Sequence, residues 1–181
     1  MIWNIDFSHS EIGFSVRHMM ISKVRGQFTS FDGNVHIGAD NPANSSISGS
    51  IDVASIDTRE EQRDAHLRSA DFFDVDNFPK MTFQSTRIEH QSGDRYKVYG
   101  NLTIKDITRE IAFDVTDEGK GQDPWGNQRW GVSAIAKINR KDFGLTWNVA
   151  LETGGWLVGD EITINAEVQL VYQPELEAVL A

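Results

Sequence analysis

Apolar and polar residues alternate with a period of two over much of the chain, and this pattern restricts the fold more than any other feature. The runs cover residues 12–20, 47–53, 96–104, 130–138 and 162–172. Successive side chains of a β-strand point to opposite faces, so each run has one apolar face and one solvated face. Strands of a buried parallel sheet read as continuous apolar runs, so the alternation indicates an antiparallel sheet.

Shorter strands are predicted at residues 26–31, 35–37 and 81–88. Turn-forming residues that separate the strands are Asp32-Gly33, Ser92-Gly93-Asp94, Glu118-Gly119 and Gly154-Gly155. With ordinary strand and loop lengths, the chain holds about eight strands or a few more. An all-β, closed antiparallel barrel is the predicted fold, because closure removes the exposed edges of the sheet.

Residues 59–69 lack the alternation and predict one short α-helix. Thr58 and Glu61 have the spacing of a capping box, which makes Thr58 the predicted N-cap. Pro79 is expected to end the connection that follows. Residues 1–173 are expected to form a single domain, with 174–181 as a C-terminal tail that is either a short helix or frayed.

The formal net charge of −10 argues against a nucleic-acid partner and against docking on anionic lipids through a polybasic patch. No apolar run approaches membrane-spanning length, so no stable membrane insertion is expected. The chain has no cysteine, which excludes disulfides and thiolate zinc sites. No signal-peptide pattern follows Met1, so a cytoplasmic location is expected, or a periplasmic one if a leader has been trimmed.

A barrel of about eight strands is either filled by its side chains or holds one small ligand. Small residues such as Gly49, Gly100 and Ala134 share the inward parity with bulky ones. Small inward residues leave volume, but they also serve to close-pack a tapered barrel, and the pattern leaves both interpretations open. The residues predicted to line a cavity are Phe14, Val16, His18, Met20, Phe28, Ile51, Leu102, Phe113, Trp130, Ala134, Trp147 and Ile164.

His18 follows the inward apolar parity of its strand. It is either a structural histidine near the barrel rim or a ligand contact, because a buried imidazole needs a polar partner. We place a ligand head group near His18 and Arg17, since a guanidinium suits an anionic head.

A dense polar cluster surrounds the predicted helix: Asp57, Arg63, Asp64, His66 and Arg68. These residues either attach the helix to the barrel, which we favour, or form a catalytic site through Asp57, Arg63 and His66. None of the familiar hydrolase or metalloprotease motifs occurs. We therefore expect that the protein is not an enzyme and that it binds no cofactor or metal.

Several blocks in order along nearly the whole chain resemble the YceI-like family of polyisoprenoid-binding proteins. These blocks are 3–6, 9–10, 14–19, 24–28, 54–58, 63–69, 71–74, 78–79, 83–85, 100–104, 108–109 and 138–144. The resemblance implies an extended, lipocalin-like barrel with an interior tunnel for a long apolar chain. It also implies an isoprenoid or fatty-chain ligand, such as a polyprenyl phosphate or a quinone-like molecule.

The predicted function is therefore a binding or carrier protein for a long apolar amphiphile, active in transport or storage. The alternatives are an enzyme acting on an amphiphile and a stress-related interaction protein with a filled barrel. A homodimer is a reasonable expectation, because two-fold symmetric dimers are the commonest oligomers.

Overall fold

The computed structural model describes residues 1–38 and 44–174, and in these ranges the backbone forms one sheet of eleven strands and one α-helix. The strands are β1 (Ile2–Ile5), β2 (Glu11–His18), β3 (Ser22–Phe28), β4 (Phe31–His36), β5 (Ser46–Asp52), β6 (Ile56–Asp57), β7 (Lys80–Ser92), β8 (Arg95–Ile104), β9 (Ile107–Gln122), β10 (Gln128–Asn139) and β11 (Val158–Tyr172). Helix α1 spans Glu61–Arg68, and short 3₁₀ turns lie at Phe7–His9, Val53–Ser55 and Arg140–Phe143. No helix in the described ranges is long and apolar enough to cross a membrane.

The eleven strands build a closed barrel of eight, which confirms the predicted antiparallel barrel. Strands β1 and β2 are two halves of one barrel strand, as are β3 and β4, and β5 and β6. Strand β11 closes the ring: one side pairs with β10, while the other pairs with β2 and then β1. The register sets Val16 opposite Ile162 and Trp3 opposite Tyr172.

Serine hydroxyls replace lost ladder bonds where the three divided strands break. The Ser55 hydroxyl accepts the backbone N–H groups of Thr29 (3.1 Å) and Ser30 (3.0 Å) and donates to the Asp52 carbonyl (2.6 Å). The Ser10 hydroxyl likewise accepts the N–H of Gln169 (3.0 Å). Unpaired backbone groups inside a protein are costly, so these hydroxyls allow the strands to bend without opening the sheet.

The base of the barrel, where α1 lies, holds the main apolar core. Its buried members are Phe28, Val53, Ile56, Phe72, Met81, Leu102, Ile104, Ile138, Phe143 and Leu145. Strand β6 pairs with β3 but not with β7, and the chain from α1 to Phe72 packs over this divergence. The helix therefore plugs one end of the barrel.

Arg140 organises the long connection between β10 and β11. The residue is 2% exposed, and its guanidinium donates hydrogen bonds to the carbonyls of Leu145 (2.6 Å), Trp147 (2.9 Å) and Gly159 (2.8 Å). Burial lowers the pKa of Arg140, and the nearby Asp160 carboxylate opposes that shift. A planar guanidinium can serve several carbonyls at once, so one side chain fixes the path of the segment.

Two of the four predicted turns are wrong, since Gly33 and Gly119 lie inside strands. Gly33 belongs to β4, where a Cβ would lie 2.7 Å from the Ser48 carbonyl, so glycine is needed for close strand approach. Gly119 lies in β9, next to a register shift opposite Gly131 and Val132. The turns at Gly93 and at 154–155 are confirmed, with positive φ at each glycine.

The helix exists where the sequence predicts it, but its N-cap differs. Glu60 caps the helix, and its carboxylate accepts the N–H groups of Gln62 and Arg63. Thr58 instead accepts and donates hydrogen bonds that tie α1 to β6. Within the predicted tail, residues 175–181 lie outside the described residues.

We expect Arg140→Met to lower the free energy of unfolding by about 3 kcal/mol, because it leaves several buried carbonyls without donors. Chemical denaturation measures this change. Lys141→Met is the matched control, since the Lys141 ammonium makes an exposed pair with Asp160 (3.0 Å) and its loss should cost less than about 0.5 kcal/mol. Equal effects of the two substitutions would contradict the role given to Arg140.

Candidate functional site in the barrel interior

The inward wall of the barrel is apolar but only half-buried above the base core. Half-buried inward residues on β2, β4, β5, β9, β10 and β11 are Phe14, Val16, Val35, Ile47, Gly49, Phe113, Val115, Val132, Ala134, Ile164 and Val168. Side chains that fill a barrel to native density leave no solvent-accessible surface inside it. Accessible apolar surface on these inward positions therefore indicates unfilled volume within the sheet.

Two inward glycines show that the barrel is packed in one place and open in another. A Cβ on Gly100 would lie 2.3 Å from Cζ of Phe83, so the phenyl ring occupies the space that a side chain would take. A Cβ on Gly49 would meet only the Asp32 carbonyl, at 3.6 Å. Both interpretations of the small inward residues therefore apply, at different positions.

The structure brings half of the predicted cavity residues onto the half-buried inner wall. These are Phe14, Val16, Ile51, Phe113, Ala134 and Ile164. Phe28 and Leu102 instead belong to the buried base core. Trp147 lies in the connection after β10, where its ring packs edge-on against His66 (4.6 Å between centroids).

Three predicted residues lie near the turn between β2 and β3. Met20 lies beyond the end of β2 and is 62% exposed, so the inward parity does not extend to it. Arg17 is exposed and its side chain has the outward parity, opposite Lys23. His18 is half-buried at the last position of β2, opposite Ser22 and Val158. The contacts predicted for these residues with a ligand stay predictions.

An aromatic cluster at the other end of the barrel was not predicted as a unit. Trp3 packs on Trp130 (5.5 Å) and Tyr172 (5.4 Å), and the Lys120 ammonium lies 4.4 Å from the Trp130 ring centre. Trp130 Nε1 donates to the Asp117 carboxylate (2.7 Å). We call these five residues the indole cluster. Its members come from β1, β9, β10 and β11, and only barrel closure brings Trp3 to the others.

Trp3 carries a buried polar atom without a partner. The side chain is 4% exposed, and within the described part of the chain its Nε1 has no hydrogen-bond acceptor. A buried donor left unpaired is destabilising, so such an atom calls for an explanation. Lys120 lies 5.2 Å from the Trp3 ring centre and makes no ion pair with any described residue. A donor and a cation at one end suit an anionic or acceptor group.

Arg63 and Asp64 attach α1 to the neighbouring strand. Asp64 is 7% exposed and accepts hydrogen bonds from the Thr58 N–H (2.9 Å) and hydroxyl (2.5 Å). Arg63 donates to the Thr58 hydroxyl (2.7 Å) and carbonyl (2.7 Å). Arg68 donates to the carbonyls of Ala54 and Ile56, both at 2.8 Å. These contacts support the attachment role for the cluster.

The remaining two cluster residues point to separate partners. His66 Nε2 lies 2.9 Å from the Asp71 carboxylate, while Asp57 accepts the N–H of Arg59 (2.8 Å). In a catalytic triad, a carboxylate orients the imidazole, and the other ring nitrogen contacts a nucleophile. In residues 1–38 and 44–174, no group of three or more His, Asp or Glu side chains is placed to hold a metal ion.

An ion-pair network joins the break after β1 to the β9–β10 loop. Arg129 donates to the carboxylates of Asp6 and Asp123, the latter at 2.9 Å. Burial raises the pKa of Asp6, but hydrogen bonds from Ser8, Arg129 and His9 outweigh it and hold that pKa below its usual range. Hydrogen bonds from Asn127 and Arg129 lower the pKa of Asp123 to about 2.

Comparisons with known proteins point to one family. A family model described as the YceI-like domain matches residues 3–170. The UPF0312 protein SA2479 of Staphylococcus aureus is 38% identical over 168 residues, covering 92% of this chain and 95% of that protein. Burkholderia cenocepacia BcnA has a TM-score of 0.77 and 25% identity, and the match covers 91% of this chain and 98% of BcnA.

Two further structures share the architecture. A Campylobacter jejuni YCEI protein is 28% identical with a TM-score of 0.73, covering 93% of this chain and 96% of that one. A polyisoprenoid binding domain from Saccharophagus degradans has a TM-score of 0.71 over 94% of this chain and 98% of that one. Because its identity is only 13%, this likeness shows the fold alone.

We expect Gly49→Ala and Gly100→Ala to have opposite outcomes. Gly100→Ala should lower the free energy of unfolding by about 1–3 kcal/mol, because its methyl group would overlap the Phe83 ring. Gly49→Ala should be neutral or slightly stabilising, since its methyl group enters open space. Denaturant titration of both variants is the measurement, and equal losses would contradict an unfilled interior at Gly49.

We expect the stabilisation from Arg129 to disappear in acid. A carboxyl group whose pKa is lowered by folding stabilises the protein above its unfolded value, 3.8 for Asp123, and loses that contribution as pH falls toward about 2. The stability difference between the wild type and Arg129→Gln should therefore be full at about pH 6 and shrink below about pH 4. Urea titrations across this range measure it.

Lys137→Gln is the control for the acid series, because its ammonium makes an exposed pair with Glu161 (3.1 Å) and should change stability little. A difference for Arg129→Gln that stays constant with pH would overturn the assignment.

Proposed function

The chain belongs to the YceI-like domain family, and from that premise we propose that its barrel binds one long apolar amphiphile of the polyisoprenoid or fatty-chain type. The observation that carries the proposal is the half-buried apolar wall inside a closed sheet. The Saccharophagus degradans domain, which has the same fold, is described as polyisoprenoid binding, and this supports the ligand class.

The apolar wall supplies the affinity in this proposal. Transfer of a hydrocarbon chain from water contributes about 0.8 kcal/mol per methylene group, before the costs of binding. An isoprene unit of five carbons therefore contributes a few kcal/mol at most, and several units are needed for tight binding. Bulky walls at Phe113 and Ile164, beside small residues at Gly49 and Ala134, suit a narrow, flexible chain.

The polar head group lies at the indole cluster in this proposal. Trp3 offers an unpaired buried N–H, and Lys120 offers a cation over two indole rings. Arg17 is predicted from the sequence to lie near the head group. Its side chain faces outward and makes no hydrogen bond or ion pair with residues 1–38 or 44–174. An anionic head, such as a phosphate, fits the Lys120 end better, because Lys120 and Trp130 lie opposite each other on the inward side of β9 and β10.

We further propose that the barrel carries its ligand unchanged. The polar groups of Thr58, Arg63, Asp64 and Arg68 are engaged in attaching α1. The polyisoprenoid binding described for the Saccharophagus degradans domain favours this view over an amphiphile-converting enzyme.

The test combines extraction and direct binding. Mass spectrometry of an organic extract of the purified protein should find a long-chain amphiphile, and titration should show binding of geranylgeranyl phosphate and geranylgeraniol. Gly49→Leu should weaken both by about tenfold or more, because the added side chain fills the open interior. An extract free of amphiphiles, together with no binding of either probe, would contradict the proposal.

Matched variants locate the head group. Lys120→Gln should weaken binding of the phosphate about tenfold and leave the alcohol unchanged, because only the phosphate gains from the cation. Arg17→Gln should change neither. The reverse result would return the head group to the Arg17 and His18 end.

A further inference from the structure

Five large apolar side chains are exposed on two adjoining loops, the turn between β2 and β3 and the hairpin before β11. Their exposed fractions are 43% for Met19, 62% for Met20, 82% for Ile21, 45% for Val149 and 56% for Trp156. We call this set the apolar tip. Scattered exposed apolar residues are ordinary, but a contiguous group of them marks an interaction surface.

The two loops of the apolar tip are bonded to each other. The Met19 N–H donates to the Leu157 carbonyl (2.8 Å), and the Met20 sulfur rests against Gly155, where a Cβ would lie 2.4 Å from it. The hairpin is held by the Leu151 N–H, which donates to the Gly155 carbonyl (3.0 Å), and by pairing of Ala150 with Trp156. The two loops therefore lie against each other with a defined backbone, and Trp156 projects from the face of the hairpin opposite to the one that Met20 contacts.

The backbone of the turn is unusual for its residues. Met19 has φ of 51° and Met20 has φ of 61°, and the Ile21 N–H donates to the His18 carbonyl (3.2 Å). Turns with two consecutive positive φ values normally use asparagine and glycine, which adopt that conformation without steric cost. Here the turn displays two flexible apolar side chains in place of the residues that would stabilise it.

Three cations stand beside the apolar tip on the outer face of the sheet. Arg17 lies directly opposite Lys23, and Arg25 lies two residues further along the same face of β3. Like charges placed directly opposite each other destabilise a sheet. None of the three makes an ion pair or side-chain hydrogen bond with a described residue. The fold thus places three cations near the tip of a chain whose net charge is −10, and Arg25 among them shares a surface pocket with Glu11 and Glu167.

We propose that the apolar tip and its three cations dock this barrel reversibly on the surface of a bilayer that contains anionic phospholipid. Methionine, isoleucine and tryptophan side chains partition into the boundary between head groups and acyl chains. Basic side chains beside them attract the anionic head groups, each within about one Debye length of the surface. The net charge argued against a polybasic patch, and docking here instead rests on an apolar tip assisted by local charge.

The docking surface stands independently of the proposed ligand. A barrel with an empty interior would bind vesicles by the same tip, and a barrel with a damaged tip would still bind an amphiphile in solution. Vesicle binding and ligand titration therefore fail separately.

Co-sedimentation of the full chain with lipid vesicles tests the proposal. Vesicles of phosphatidylcholine with about 30 mol % phosphatidylglycerol should bind the protein, and vesicles of phosphatidylcholine alone should bind it about tenfold more weakly. Ile21→Ser with Trp156→Ser should reduce binding to the mixed vesicles by about tenfold or more. Arg17→Gln with Lys23→Gln should remove most of the salt dependence. Absence of binding to the mixed vesicles would overturn the proposal.

Trp125→Ser is the matched control, because Trp125 is 82% exposed in the β9–β10 loop, away from the apolar tip. It should leave vesicle binding unchanged. Met19→Asn with Met20→Gly supplies the residues that the turn prefers, so thermal stability should hold or rise while vesicle binding falls about tenfold. Loss of binding in Trp125→Ser, or full binding in the turn variant, contradicts the assignment. A tip that only holds two copies of the chain together, seen as a dimer lost in the tip variants without vesicle binding, contradicts it too.

Discussion

Everything in this molecule depends on the pairing of one long strand with two partners on the same side. Strand β11 spans Val158–Tyr172, and it reaches far enough to pair with β2 near its start and with β1 near its end. Without that double pairing, the sheet would be open, its edges unpaired and its apolar face solvated. Closure converts one amphipathic sheet into a wall around an enclosed volume.

Packed side chains fill one part of the enclosed volume and leave another part open. The base is filled by the core beneath α1, and the helix stays there because Arg63, Asp64 and Arg68 use their polar groups on backbone and hydroxyl partners. Above the base the wall is half-accessible, and the indole cluster lies at the far end. A residue such as Gly100 belongs to the filled part and Gly49 to the open part, although both have the same parity.

Most of the fold could be predicted because alternation directly reports strand faces. The strand class, the antiparallel pairing, the helix and most of the inner wall follow from it. Register does not follow, so the sequence could not reveal that Gly33 lies inside a strand or that β2 ends before Met20. The indole cluster could not be predicted for the same reason. Trp3, Trp130 and Tyr172 are far apart in sequence and meet only through two cross-strand registers. The outward direction of Arg17 follows from the alternation, and its predicted contact with a head group stays a prediction.

The hydrogen bonds at the end opposite the helix have one further consequence. The Gln173 N–H donates to the Ile2 carbonyl (2.9 Å), so the first and last strands finish side by side. A short peptide could join them without disturbing any strand pair. The chain could then be opened at the exposed Gly93 turn, giving a circular permutant with the same barrel and new ends beside β7 and β8. Chain order and barrel architecture are thus separable in this protein.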